Sequence, residues 1–529
     1  MIEFFQSFIP AHRRLAQGTL AFATIAALAG CGSTPRPTTT PITPTGPASQ
    51  PASFAFVIST PLPTAQTPVP QGVGTVIDYS GDTIMASAQI GPNPVTFALN
   101  GGGSEAWTLN GDGTVSNIPV STNLQPKLVT YSTLSQFNGA DPVVGLFNSS
   151  LGLYALDTTT DPVTGKSQLD VLTGSPDAFK LTVPVDQTPV TMVGVSSATR
   201  YYTISQNIPY GIACNTNPTG VTQTGTADGI ETLTYTVSSQ IPLGVCPVYA
   251  VGTPDTKRVF VLNRGSDTIT VINSQNNAPD QCPANSVNQN GQPFKCHPVL
   301  PLSTTAVNAI CPTPTAATCV LPPNGTTGFP AVAGPVYAEY NQATGQLVVS
   351  NYDGNTISII DVSLDEFGND SPTFGTTFTV AVGNNPAAVT VLADGSRAYV
   401  ANQSGDAVNG SDAGSVTIVN MNSHTIEKTL PVTGHPRTVV STENSLFGKV
   451  YVASPDSPDV TIIRTDQDII STSILVQGNA IDVRTTSPDA SSANTNTVSR
   501  LPGAGQPCFL PPTELTPTSV ADCQLLQLP

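Results

Sequence analysis

One phrase recurs, with drift, along most of this chain, and a repeat of that period leaves few architectures open. Its clearest copy runs Gly383-Asn384-Asn385-Pro386, an apolar run from Ala387 to Leu392, then Asp394-Gly395-Ser396-Arg397-Ala398-Tyr399-Val400-Ala401-Asn402. A second copy runs Gly434-His435-Pro436-Arg437-Thr438-Val439-Val440, followed by Gly448-Lys449-Val450-Tyr451-Val452-Ala453-Ser454. Each passes through a turn into a β-branched run, Ser415 to Asn420 in one and Asp459 to Ile463 in the other. Weaker relatives pair Arg258–Asn263 with Thr268–Asn273, and Gln346–Asn351 with Thr356–Asp361. Such repetition signals an array of near-identical supersecondary units.

Each unit reads as four short strands. The runs are rich in Val, Ile, Thr and Tyr and are bounded by Gly, Asn, Asp and Pro, which punctuate strands and hairpins. Asp394-Gly395 and Asp353-Gly354 are tight-turn dipeptides, because Gly, and to a lesser degree Asp, tolerates positive φ. No segment past the leader keeps an apolar 3.6-residue period, so helices should be scarce. A four-stranded meander cannot bury both faces alone, and stacking such sheets around an axis solves this. Separate sandwiches would show longer strands with linkers, and β-helix rungs would be shorter. The expected fold is therefore all-β, a single β-propeller of four-stranded blades.

These phrases resemble the YVTN-repeat β-propeller family, best over 383–420 and recognisably over 244–273, 334–361 and 434–463. The resemblance implies a propeller, commonly of seven blades, and no single activity. First strands are expected near Pro94, Pro142, Pro189, Pro247, Pro335, Pro386 and Pro436. A further run, Ala480-Ile481-Asp482-Val483, has nothing after it to complete a blade. Ser53–Ile58 and Gly74–Asp78 read as second and third strands with no first strand before them. Joining the two ends gives a composite closing blade that removes open edges. The strand tally favours eight blades and the resemblance seven.

Residues 1–30 read as a lipoprotein signal peptide: His12-Arg13-Arg14, an apolar stretch from Leu15, and Leu28-Ala29-Gly30-Cys31. That last tetrapeptide looks like a bacterial lipobox, with Cys31 the acylated new N-terminus. The Thr/Pro-rich stretch 31–53 reads as an extended tether. The propeller is expected over 54–486, with a Cys-containing insertion at about 274–332, and 487–529 is a Pro/Ser-rich tail. The expected location is the bacterial cell envelope, lipid-anchored at the outer membrane, as a monomer.

Charge narrows the partners. Asp, Glu, Lys and Arg make up 10% of the chain, against roughly 25% in typical domains. Without residues 1–30 the balance is 16 basic against 34 acidic, net −18. So acidic a surface argues against nucleic acid and against electrostatic adhesion to anionic lipid. An envelope protein or glycan remains as partner, with the lipid anchor as the membrane contact.

There are nine cysteines. Setting Cys31 aside leaves an even number in an exported chain, which points to disulfides. Proximity suggests Cys214–Cys246, Cys282–Cys296, Cys311–Cys319 and Cys508–Cys523, the middle four stapling an insertion without strand character. Zinc at those four with His297 is the rival reading, but paired C-x₂₋₄-C spacing is absent. No metal or cofactor is expected, since haem attachment needs C-x-x-C-H.

Catalytic constellations are missing. No Gly-x-Ser-x-Gly elbow, His-Glu-x-x-His or Gly-Lys-Thr pattern occurs. His435 occupies the Gly-x-Pro step and reads as a loop-facing structural residue, while His424 sits in a turn and should be solvent-exposed. Two function classes stay open: a binding or scaffold module, and a lactonase-like hydrolase using the central channel. Hydrolysis needs a base and charge stabilisation on inner-strand ends. Glu339 and Arg437 are the ionisable channel candidates there, thin provision that favours binding.

Overall fold

The computed structural model describes residues 54–120, 129–134, 143–149, 151–195, 200–210, 212, 221–282, 296–310, 328–405, 413–442 and 448–486. Eight antiparallel sheets form eight blades in a ring. Their innermost strands, for blades 1 to 8, are Pro94–Leu99, Val143–Ser149, Pro189–Gly194, Pro247–Gly252, Pro335–Asn341, Pro386–Val391, Thr438–Ser441 and Asn479–Thr485. Each innermost strand packs against the next, and that of blade 8 packs against that of blade 1. The first strands thus start at or beside the expected prolines. Seven blades, the number implied by the family resemblance, is corrected to eight. The divergent stretch after residue 91 holds two complete blades, the second closed by Asp177–Val185.

Blade 8 is composite. Asn479–Thr485 pairs with Phe54–Thr60, which continues into Gln71–Asp78 and Thr83–Pro92. Beyond the ladder, the Thr486 N–H donates to Phe54 O at 2.8 Å and the Phe54 N–H to Thr486 Oγ1 at 2.8 Å. Phe56, Ile58, Ala480 and Val483 are fully buried around this junction. The termini of the ring are therefore tied by both hydrogen bonds and apolar packing.

The repeated phrase has a physical cause. Asn at the end of the second strand sends its side-chain N–H groups to two hydroxyls on the third. Asn351 reaches Thr356 and Ser358, Asn263 reaches Thr268 and Thr270, and Asn402 reaches Ser415 and Thr417. The Gly of the Gly-x-x-Pro step makes room for that side chain. A Cβ on Gly383 would fall 2.6 Å from Asn402 Cγ, and one on Gly91 would fall 2.3 Å from Asn110 Cγ. The residue before the proline is left-handed, with φ 53° at Asn93 and 52° at Asn385, a conformation Asn adopts more readily than most residues. Where the phrase is complete, in blades 1 and 6, Gly, Asn, Pro, Asn and a hydroxyl residue thus form one interacting unit, and blades 4 and 5 keep its Asn-to-hydroxyl bonds.

The insertion after the third strand of blade 4 is not strandless. Val299–Pro301 pairs with Thr268–Asn273 as a fifth strand, and Thr304–Ile310 is a short helix. The expected Cys282–Cys296 disulfide is present. Cys246 is disulfide-bonded as well. Its expected partner Cys214 lies outside the described residues, as do Cys31, Cys311, Cys319, Cys508 and Cys523, the leader, tether and tail. His297, weighed above as a zinc ligand, instead bonds Asp370 of blade 5 through Nδ1 at 2.8 Å and stacks on Phe374. Arg258 Nη2 lies 3.1 Å from Asp280 Oδ1 and 3.2 Å from Asp370 Oδ1. This buried knot pins the base of the insertion to the neighbouring blade.

Burial pushes the Asp280 carboxyl up to about 6, and Asp370 adds to the rise while Arg258 opposes it. Asp228, buried beside Asp186, is likewise pushed up to about 6 by burial. An unfolded Asp titrates near 3.9, so the folded state holds protons that the unfolded chain releases. The stability from these groups is present below about pH 4 and is lost as pH rises through about 6. Denaturant melts at pH 5 and 7.5 should show a fall in stability with pH. Asp280→Asn and Asp228→Asn should each flatten it by roughly 1–3 kcal/mol. An unchanged slope in both variants would contradict the assignment.

Candidate functional site in the axial channel

In every blade but the seventh the innermost strand bulges near its start, one residue after the proline where the strand begins with one, and the ladder skips that side chain. That position is aliphatic in seven blades, from Val95 in blade 1 through Val336 and Ala387 to Ile481 in blade 8. In blade 7 it is Arg437. Its side chain is buried, with 9% exposure. Burial pushes its guanidinium down to about 10, opposed by the carboxylate of Asp482.

The next residue along the strand is Tyr249 in blade 4 and Tyr337 in blade 5, whose rings stack at 4.7 Å. Tyr337 remains partly exposed although it packs against apolar clusters drawn from several blades. Burial, then the neighbouring Tyr249, pushes its hydroxyl well above the usual phenol range. Two residues further on, Glu339 accepts the Val391 N–H of blade 6 through Oε1 at 3.0 Å. Blade 8 contributes Asp482 and Arg484 to the axis. Arg484 Nη2 lies 3.4 Å from Asp482 Oδ2, and its guanidinium covers the Phe97 ring of blade 1 at 5.1 Å. Asp482 Oδ1 also accepts the Thr438 hydroxyl at 3.2 Å.

Both channel candidates therefore stand on or beside innermost strands, but no hydrogen bond or ion pair joins them. Glu339 is turned to blade 6 and Arg437 to Asp482 of blade 8. The first-strand inventory missed Asp482 and Arg484, because Ala480-Ile481-Asp482-Val483 was read as a closing fragment. Aligning it on Pro335-Val336-Tyr337-Ala338-Glu339 sets Asp482 level with Tyr337 and Arg484 level with Glu339.

The remaining histidines hold loops. His435 donates its backbone N–H to Asp456 Oδ1 at 2.8 Å and meets Oδ2 through Nδ1 at 2.6 Å. Burial alone would raise the Asp456 carboxyl, but the His435 hydrogen bonds outweigh it and the net shift is downward. His424 is not fully exposed as expected: its ring stacks on Phe378 at 4.1 Å, half-burying it and lowering its affinity for a proton. A second concavity, about 490 Å³, opens between blades 1 and 2 at Asn100, Glu105, Asn148 and Ser149. At its wall Trp107 Nε1 donates to Asp177 at 2.6 Å.

No protein-family model matches the chain, and no curated protein matches it. Solved structures do. Dihydro-heme d1 dehydrogenase NirN, in complex with DHE, has a TM-score of 0.50 at 11% identity, over 85% of this chain and 78% of that one. AztD from Citrobacter koseri has a TM-score of 0.47 at 12% identity, over 82% and 98%. A Bacteroides fragilis protein assigned as a 6-phosphogluconolactonase has 0.45 at 13%, over 83% and 99%. At these identities the likeness shows the propeller fold alone. Chemically, the axis offers a cationic side chain, Arg437, that makes no hydrogen bond or ion pair among the described residues, a tyrosine pair, and acids already engaged by neighbouring donors.

Proposed function

We propose that this propeller is a non-catalytic binding head whose ligand occupies the axial channel. The observation that carries this reading is the stacked Tyr249–Tyr337 pair, in which Tyr249 is buried and Tyr337 stays partly open to solvent, inside a closed ring of innermost strands. Concave sites of this kind recognise ligands through an aromatic body and a few polar groups. A lactonase-like reaction has less support, because the Glu339 carboxylate is committed to the Val391 amide. The lipobox at Leu28-Ala29-Gly30-Cys31 and the tether behind it support an acylated Cys31. On this reading the head belongs to the YVTN-repeat family and stands off the bacterial outer membrane, meeting an envelope protein or glycan.

Saturation-transfer NMR with a panel of aromatic acids, amides and sugars tests the channel, alongside an assay for sugar-lactone turnover. At least one class should give signals that Tyr337→Ala abolishes, with melting curves verifying that the variant stays folded. Tyr249→Ala serves as the second variant should Tyr337→Ala unfold. Signals unmoved by the folded variants, or lactone turnover that Glu339→Gln eliminates, would reverse the reading.

A further inference from the structure

Seven arginines lie among the described residues, and six of them face a carboxylate. Arg200, Arg258, Arg264, Arg397, Arg464 and Arg484 each form an ion pair. Arg437 is the exception: among the described residues its side chain makes no hydrogen bond or ion pair, although it is only 9% exposed. At 9% exposure the side chain is mostly, but not wholly, removed from solvent. Burying a charge without a partner is costly, and nothing in the packing needs a cation here. The same bulge position is aliphatic in the other seven blades, Val336 and Ala387 immediately before it.

The nearest opposite charge, Asp482, is already held by Thr438 and Arg484. In formal charge Arg437 and Arg484 balance Asp482 and Glu339. But Glu339 Oε1 accepts the Val391 amide and Asp482 is held by Arg484, so the Arg437 fork is the group left with no bonded acceptor among the described residues. A guanidinium presents a planar fork that matches a carboxylate through two parallel hydrogen bonds. A dianion would meet repulsion from Asp482 and Glu339, so the open fork fits a monoanion. We infer that Arg437 anchors the carboxylate of a monoanionic ligand in the axial channel, a refinement that rests on the channel-binding reading above.

Benzoate, acetate, benzamide and inorganic sulfate are the probes, titrated onto the purified chain at pH 7 and constant ionic strength. Benzoate should bind saturably, and Arg437→Met should weaken it about 10- to 100-fold. Benzamide, the uncharged isostere, and sulfate, a dianion at this pH, should bind at least about tenfold more weakly than benzoate. Arg437→Met should melt no lower than the parent, because it removes an uncompensated charge, whereas a structural arginine would lower it. Benzoate affinity unchanged in Arg437→Met, or benzamide equal to benzoate, overturns the anion anchor and leaves channel binding standing. Failure of all four probes to bind also overturns the anion anchor, and failure of the wider NMR panel as well overturns channel binding.

Discussion

A chain ending at Gln477 is expected to lose cooperative unfolding and to aggregate, whereas one ending at Thr486 keeps the melting behaviour of the full chain. The difference is the innermost strand of blade 8. Its removal deletes six ladder pairs with Phe54–Thr60, from Ala55–Thr485 to Thr60–Asn479. It also deletes the three hydrogen bonds between Thr486 and Phe54. Ala480 and Val483 leave a core that includes Ala55, Val57, Tyr451 and Ile462. At about 1 kcal/mol per hydrogen-bonded pair, plus lost apolar burial, the cost is on the order of 5–10 kcal/mol. The opened ring would also present Phe54–Thr60 as an unpaired edge, a template for association. Circular dichroism melts and light scattering of the two truncations decide the matter. Equal melting and solubility would mean that the composite blade does not hold the ring closed.

Arg258→Met should be the most damaging single substitution at the insertion, costing roughly 3–5 kcal/mol. Arg258 is 2% exposed. It stands between Asp280 and Asp370 and also reaches Gly368 O at 3.3 Å and Lys257 O at 3.2 Å. Methionine would fill much of the volume but leave two buried carboxylates facing each other. Adding Asp370→Asn should recover part of the loss, since the double variant no longer buries two like charges, and the non-additivity measures the coupling. Denaturant melts give the size. A loss below about 1 kcal/mol for the single variant would show that solvent reaches the knot and screens it.

Strand positions were legible in the sequence because their causes are local. The Asn402 bonds to Ser415 and Thr417, the room that Gly383 leaves, and the left-handed Asn385 all lie within one repeat. Even the composite blade could be read, since orphan strands at each end signal a missing partner. The axial charges were harder to read. Asp482 and Arg484 sit in a run that looks apolar until its register against Phe54–Thr60 is known. His424 was expected in solvent because nothing nearby in sequence announces Phe378.

Repetition in the sequence by itself determined the all-β class, the four-stranded unit and the place of each innermost strand, because turn chemistry and side-chain alternation act between near neighbours. Tertiary structure alone decided which charges meet. Arg258 and Asp370 are 112 residues apart, and His297 and Asp370 are 73 apart. It alone also left the Arg437 guanidinium without a hydrogen bond or ion pair among the described residues, near an Asp482 already claimed by others. A pairing of that kind depends on how the ring closes and on the exposure left after packing, and neither is written in the spacing of residues along one blade.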